Sequence, residues 1–221
     1  MFPMKHLLII GAGGYGREIY NMAPFCRGYG EEWDIKGFVD DTPDPLGGYE
    51  GYGPIVGKIH DYQPQDEDCF ICAIGSVAGK RECVSTLLAK GAKFLNLIHQ
   101  EVTINRNVVL GQGCIISKDS IIGSDATIGN FATLQIGCMI GHDSRIGDWC
   151  HLHPRVFMGG RSTLQEGVHI GYGAFVHPDK VIGADATIAA GAYVYRNVKS
   201  GTTVIGNPAT VFYSINREKS K

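Results

Sequence analysis

Val102-Thr-Ile-Asn-Arg-Asn-Val-Val-Leu-Gly-Gln-Gly-Cys-Ile-Ile-Ser-Lys-Asp119 opens a stretch that repeats every six residues as far as Asn197. Counted from Val102, the third residue of each six is aliphatic in all sixteen hexads, from Ile104 to Val194, with no insertion. The first residue is Val, Cys, Ser or Ala in fifteen of the sixteen; Lys180 is the exception. The fourth is Gly in eight, from Gly111 to Gly183. A period of six fits neither an amphipathic helix nor one alternating strand. It fits a short strand and a turn, repeated. Side chains of a strand alternate faces, so positions one and three point the same way, one small and one large. Gly at position four is expected at corners, where backbone angles are unusual.

Three such sides close a triangular coil of eighteen residues, and sixteen hexads make about five coils. This is the pattern of the left-handed parallel β-helix. Its crossovers run against the usual right-handed rule, so the fold class rests on the repeat itself.

Outside the repeat, Met4-Lys-His-Leu-Leu-Ile-Ile-Gly11 reads as a buried strand. Gly11-Ala-Gly-Gly-Tyr-Gly16 follows, then a helical start at Arg17. This is Gly-x-Gly-x-x-Gly between strand and helix, where backbone N–H groups hold phosphates. Trp33–Val39 is a second strand ending at Asp40-Asp41, where an acidic residue binds a nucleoside hydroxyl or base. Residues 42–54 read as loop, Phe70–Gly75 as a third strand, Lys80–Lys90 as a helix and Ala92–Ile98 as a last strand. The chain is thus expected to comprise a short Rossmann-like parallel α/β domain at 1–95, a β-helix at 96–209 and a tail at 210–221. Fewer than a hundred residues precede the repeat, so a single nucleotide fits better than a dinucleotide cofactor. Gly206-Asn-Pro-Ala209 reads as a turn that stops further stacking.

The chain has 221 residues and a net charge of −2, which gives no basic footprint for nucleic acid or an anionic membrane surface. No apolar run approaches the ~20 residues of a membrane span, and Met1–Lys5 with the short apolar run Leu7–Ile10 is not expected to be a signal peptide. Of seven cysteines, Cys114, Cys138 and Cys150 fall at position one, where small buried residues belong. Cys69 and Cys72 lie in a strand-like run and face opposite ways. Buried free thiols fit a reducing compartment, so a cytoplasmic location is expected. Five of eight histidines lie in the repeat: His142, His151, His153, His169 and His177. His151 and His169 differ by eighteen and stack one coil apart, ~4.8 Å by strand spacing. No third ligand is evident, so no metal is expected. Gly141-His142-Asp143 puts imidazole and carboxylate side by side at a corner, where the acid fixes the tautomer of the base. A solvated corner His with an incidental Asp is the plainer alternative.

The whole chain resembles the bacterial sugar acyltransferases that pair a nucleotide-sugar-binding α/β domain with a left-handed β-helix. It is most similar to the acetyl-CoA-dependent N-acetyltransferases of nucleotide-linked 4-amino-4,6-dideoxy sugars, and also to sialic acid O-acetyltransferases. The matching residues are Gly11–Gly16, Asp40-Asp41, Ala73-Ile-Gly75, Asn96-Leu-Ile-His99, Gly141-His-Asp143, Cys150-His151, Gly159-Gly160 and Gly206–Ala209. The resemblance implies acetyl transfer from acetyl-CoA to a sugar amine, with His142 as general base tuned by Asp143. His151 would contact the thioester region, the Gly160 N–H would donate to the oxyanion, and Tyr172 and Ala190 would lie along coenzyme A. Gly13, Gly14, Tyr15, Asp40, Asp41 and Gly75 would hold the nucleotide. Tyr15 stands where members that take UDP-sugars commonly have His, which leaves UDP, dTDP and GDP open. The resemblance also implies a homotrimer with active sites between subunits. The alternatives are an O-acetyltransferase of a sugar hydroxyl and a non-enzymatic nucleotide-binding scaffold.

Overall fold

A computed structural model describes residues 3–214. The chain divides into two compact units, separated between Gln100 and Glu101.

The first unit is built on four parallel strands: β1 (Lys5–Ile10), β2 (Trp33–Val39), β3 (Ile55–Gly57) and β4 (Asp68–Cys72). Their order across the sheet is β3-β2-β1-β4. Leu7, Leu8, Ile9 and Ile10 are fully buried, as a strand covered on both faces requires. Helix α1 (Gly14–Met22) follows β1, and α2 (Val77–Leu88) follows β4. Helix α2 starts three residues earlier than its apolar pattern suggests, because Ser76 Oγ caps it by accepting from the Gly79 N–H. The expected strand over 92–98 is reduced to a bridge at Phe94, opposite Phe70, and the pair Leu97–Ile98. The short β3 directly follows Pro54, just beyond the expected loop. The sheet changes winding direction at β1: β2 and β3 lie to one side and β4 to the other. The carboxyl ends of β1, β2 and β4 carry the Gly-rich turn, Asp40 and Gly75, the usual ligand crevice of such sheets.

The second unit is a left-handed parallel β-helix. Every hexad contributes a two-residue strand, and through Phe175–Val176 each is paired in register with the one eighteen residues on, for example Thr127↔Arg145 and Thr133↔His151. Position three is buried from Ile116 through Val194, and position one is fully buried from Cys114 through Ala192 except at Lys180, which is half-buried.

The corners differ from expectation in which residue carries the unusual backbone. Left-handed φ falls at position six, in fifteen consecutive hexads from Asn107 to Gly191, including Asp143, Trp149 and Arg161. Asn, Asp and Gly tolerate that region best. The position-four glycines have ordinary φ and are small for another reason. A Cβ on Gly123 would lie 2.6 Å from the His142 backbone N, and one on Gly141 would run into the Gly160 backbone N. Close stacking of coils, rather than strain, excludes a side chain there.

After the last coil, Thr202–Ile205 continues one ladder beside Thr187–Ile188. Gly206–Ala209 then turns the chain, and Thr210–Ser214 returns antiparallel along Thr202–Ile205. A strand therefore fills part of the expected tail, and the remainder, from residue 215, lies outside the described residues.

Candidate functional site

His142 and Asp143 close one hexad at the corner between the strands Met139–Ile140 and Arg145–Ile146. The Asp143 carboxylate Oδ2 lies 2.6 Å from His142 Nδ1, with both side chains more than half exposed. A carboxylate only accepts, so Nδ1 carries the proton and Nε2 presents a lone pair. Asp143 is in the left-handed region at φ 58°, which the coil imposes at every position six. The backbone accounts for a small polar residue there, and the short contact to the ring is additional. Gly160 lies eighteen residues on, one coil away on the same corner. A Cβ built on it would meet His142 Nε2 at 2.7 Å and two ring carbons at 3.0 Å. The bare Gly160 backbone therefore forms the floor on which the imidazole rests. The neighbouring Arg161 N–H donates to His142 O at 2.9 Å and fixes the corner below the ring.

His151 is 1 % exposed, on the face that also carries His169. His153 joins this pair. Its Nε2 is 2.9 Å from His169 Nε2, its ring centroid is 4.9 Å from that of His151, and its other face stacks on Tyr172 at 4.5 Å. The stack of His151 on His169 is as the spacing predicts; the third imidazole comes from two residues further along the same strand end and lies outside the eighteen-residue spacing. Burial pushes the His153 pKa below its ordinary value, which favours the neutral ring. Gln135 Nε2 lies 3.3 Å from His151 Nε2. Among the described residues no group of three or more His, Cys, Asp or Glu is arranged to hold a metal ion. Tyr172 and Ala190 are exposed at one corner, one coil apart. His142 and His151 are nine residues apart, half of an eighteen-residue coil, so they lie on opposite sides of the triangular prism.

In the first unit, Gly16 is needed for packing, since a Cβ there would collide with the Gly11 carbonyl. Gly13 and Gly75 have nothing within 4 Å of an added Cβ, so the crevice is open beside both. Asp40 is committed to the backbone. Its Oδ2 accepts from the Ala12 N–H at 2.7 Å, and its Oδ1 from Thr42 N–H at 2.8 Å. It braces the Gly-rich turn. Asp41 is exposed and bound to His60, with Nδ1 2.6 Å from Oδ2. The Arg17 guanidinium sits 3.6 Å over the Tyr49 ring and ties the 42–54 loop to the first turn of α1. Neither His60 nor Arg17 stands out in sequence, because both roles depend on where the loops fold.

All seven cysteines are free. Cys138, nearest in sequence to His142, is buried, and burial pushes its pKa up to about 12. It offers no thiolate nucleophile. No helix among the described residues is long and apolar enough to cross a membrane.

Residues 6–87 match the family described as the PglD N-terminal domain, and residues 87–171 the GMPPB C-terminal domain. Among solved structures, the chain is similar to perosamine N-acetyltransferase from Caulobacter crescentus in complex with CoA and GDP-perosamine. The identity is 27 %, the TM-score 0.84, and 97 % of this chain and 100 % of that one are covered. It is similar to the acetyltransferase domain of PglB from Neisseria gonorrhoeae, in complex with acetyl coenzyme A, at 25 % identity and TM-score 0.85. There the cover is 95 % of this chain and 100 % of that one. WeeI from Acinetobacter baumannii matches at 26 % identity and TM-score 0.82, over 95 % of this chain and 100 % of that one. No match was found among curated proteins.

Proposed function

We propose that this chain is an acetyl-CoA-dependent N-acetyltransferase of a nucleotide-linked amino sugar. The observation that carries the reading is the His142–Asp143 pair resting on bare Gly160 backbone, on a chain similar over nearly its whole length to sugar N-acetyltransferases.

The sugar amine attacks the thioester carbonyl carbon, and its N–H proton passes to His142 Nε2. Asp143 stabilises the imidazolium through Nδ1–H. The tetrahedral oxyanion accepts from the Gly160 N–H. As the C–S bond breaks, the proton held on the imidazolium goes to the departing thiolate, leaving amide and free coenzyme A thiol. General-base help of this kind contributes roughly 10²–10⁴-fold, and one oxyanion donor roughly 10²–10³-fold. With no exposed thiolate beside His142, direct transfer in a ternary complex is favoured over a covalent enzyme intermediate.

Gly13, Gly14, Tyr15, Asp40, Asp41 and Gly75 hold the nucleotide at the carboxyl ends of β1, β2 and β4, with Asp40 also bracing the turn. His151, Tyr172 and Ala190 line the coenzyme site. Because His142 and His151 point from opposite sides of one prism, they meet a single thioester only if neighbouring chains supply them. The ladder Ile121, Met139, Phe157, Phe175, Tyr193 leaves an apolar face, with Phe157 and Phe175 stacked at 4.8 Å and Met139 42 % exposed. Such a face suits a contact between copies. A homotrimer closes it without open-ended growth. Phe131 and Trp149 do not belong to this face: Phe131 is 3 % exposed, stacked on Trp149 at 4.5 Å along a corner. The free thiols support a cytoplasmic setting.

The test is thiol release from acetyl-CoA in the presence of UDP-, dTDP- and GDP-linked 4-amino sugars, with sedimentation of the same sample. Release with one of these amines, and a mass about three times 23.9 kDa, is expected. Release with none of them, under conditions where each binds, would exclude the reading.

A further inference from the structure

Asp41 lies two residues past β2, and one residue takes both of its carboxylate oxygens. The His60 ring Nδ1 is 2.6 Å from Oδ2, and the His60 backbone N–H donates to Oδ1 at 3.3 Å. A carboxylate only accepts, so Nδ1 carries the proton. The His60 side chain is 57 % exposed. A pair this open contributes little to the fold, because water competes for it and both side chains lose freedom in making it.

The turn that carries His60 is nevertheless fixed from several sides. Ile59, just before it, is buried. The Asp61 and Tyr62 N–H groups donate to Lys58 O at 3.2 and 2.9 Å, and Asp40 N–H donates to Gly57 O at 3.1 Å, which lashes the end of β3 to the end of β2. Lys90 Nζ, just past α2, donates to the His60 carbonyl and, at 3.1 Å, to the Tyr62 carbonyl. The Tyr62 hydroxyl donates to Asp68 Oδ2 at 2.8 Å, and that carboxylate is buried. With its backbone anchored in this way, the His60 ring holds Asp41 rather than being held by it.

Asp41 stands at the carboxyl end of β2, beside the crevice read above as the nucleotide site. An unanchored carboxylate there would have to be ordered when the ligand arrives, which weakens binding roughly three- to tenfold. One anchored at both oxygens avoids that cost, and it keeps lone pairs with which to accept from the ligand. We infer that His60 is a positioning residue of this site, which fixes the Asp41 carboxylate before the sugar nucleotide binds. The inference rests on the reading of the first unit as a nucleotide site that uses Asp41.

Calorimetric titration of the full chain with UDP, dTDP and GDP finds the nucleotide that wild type prefers, and that nucleotide is the probe. His60→Leu should weaken its binding roughly three- to tenfold. His60→Asn puts a side-chain N–H donor where Nδ1 stood and should bind within about twofold of wild type. In an Asp41→Ala background, His60→Leu should change affinity by less than about twofold, because the residue it positions is gone. Melting temperatures of both His60 variants should stay within about two degrees of wild type, and coenzyme A should bind all of these chains alike. No loss in His60→Leu, an equal loss in His60→Asn, or a loss that persists undiminished in the Asp41→Ala background overturns the inference. So does a fall in melting temperature that accompanies the loss, since His60 would then serve the fold. If wild type binds a nucleotide but releases no thiol with the matching 4-amino sugar, the acetyltransferase reading fails while the titrations still decide His60. If wild type binds none of the three nucleotides, the inference fails with the nucleotide site.

Discussion

Replacing Gly160 by Ala should separate activity from stability. The added methyl would sit 2.7 Å from His142 Nε2 and 3.0 Å from two ring carbons. Ordinary contacts begin near ~3.5 Å, so the ring has to move off by several tenths of an ångström. It is free to do so: the His142 side chain is 57 % exposed and Gly160 is not among the left-handed glycines. The change should therefore cost under about 1 kcal/mol, in the range of surface substitutions. Catalysis is less forgiving. A displacement approaching 1 Å costs on the order of 10²-fold, so kcat should fall roughly 10- to 100-fold with both KM values nearly constant. Gly141→Ala is the control with the opposite sign. Its methyl meets the Gly160 backbone, which cannot rotate away, so coil stacking should loosen and the melting temperature fall by several degrees. Steady-state thiol release and thermal melting on both variants decide the matter. Full activity in Gly160→Ala would mean that the imidazole does not act from its seat on that backbone.

Three further outcomes are expected. His142→Asn should lower kcat by roughly 10²–10⁴-fold while ligand affinities stay within a few-fold, and Asp143→Asn should cost less, as single-variant kinetics will show. Asp40→Ala should loosen the Gly-rich turn and lower the melting temperature as well as nucleotide affinity, whereas Asp41→Ala should lower affinity alone; calorimetry beside melting distinguishes them. Burial pushes the Asp68 carboxyl up, but hydrogen bonds from Lys36, the Gln65 N–H and Tyr62 outweigh it and hold its pKa below the ordinary value. Its stabilisation is therefore present above the unfolded carboxyl pKa of ~3.9 and lost as pH falls through the lower folded value. Asp68→Asn should destabilise by about 2 kcal/mol at pH 7, and the gap to wild type should close in acid melts.

The repeat made the second unit legible because coil geometry demands the same residue size every six positions. Positions one and three reported burial directly, and the Gly-x-Gly-x-x-Gly turn reported strand, turn and helix. What sequence hid was the reason behind a residue. The position-four glycines suggested unusual angles, yet the constraint is a neighbour eighteen residues away, which no local rule contains. Only the folded coil shows that Phe131, at position six, turns along a corner onto Trp149. The backbone contacts of Asp40 were hidden too, because they depend on how Ala12 and Thr42 fold around it. His153 was visible only as one histidine of the repeat, because its partners, His169 and Tyr172, are sixteen and nineteen residues on, offsets that matter only once the coil is known. Lys180 was visible as an exception, but that it lines a cleft beside the Gly206–Ala209 turn needed the fold.

The in-register pairing of each strand with the one eighteen residues on makes this unit a ruler with fixed graduations. Adding or removing a few residues would turn every later side chain onto a different face. A whole coil can be gained or lost while each face keeps its chemistry. Insertion of one coil after Gly160 would then move His177 away from His142 by one graduation, ~4.8 Å. The separation between any two side chains on one face is thus quantised in whole turns of protein.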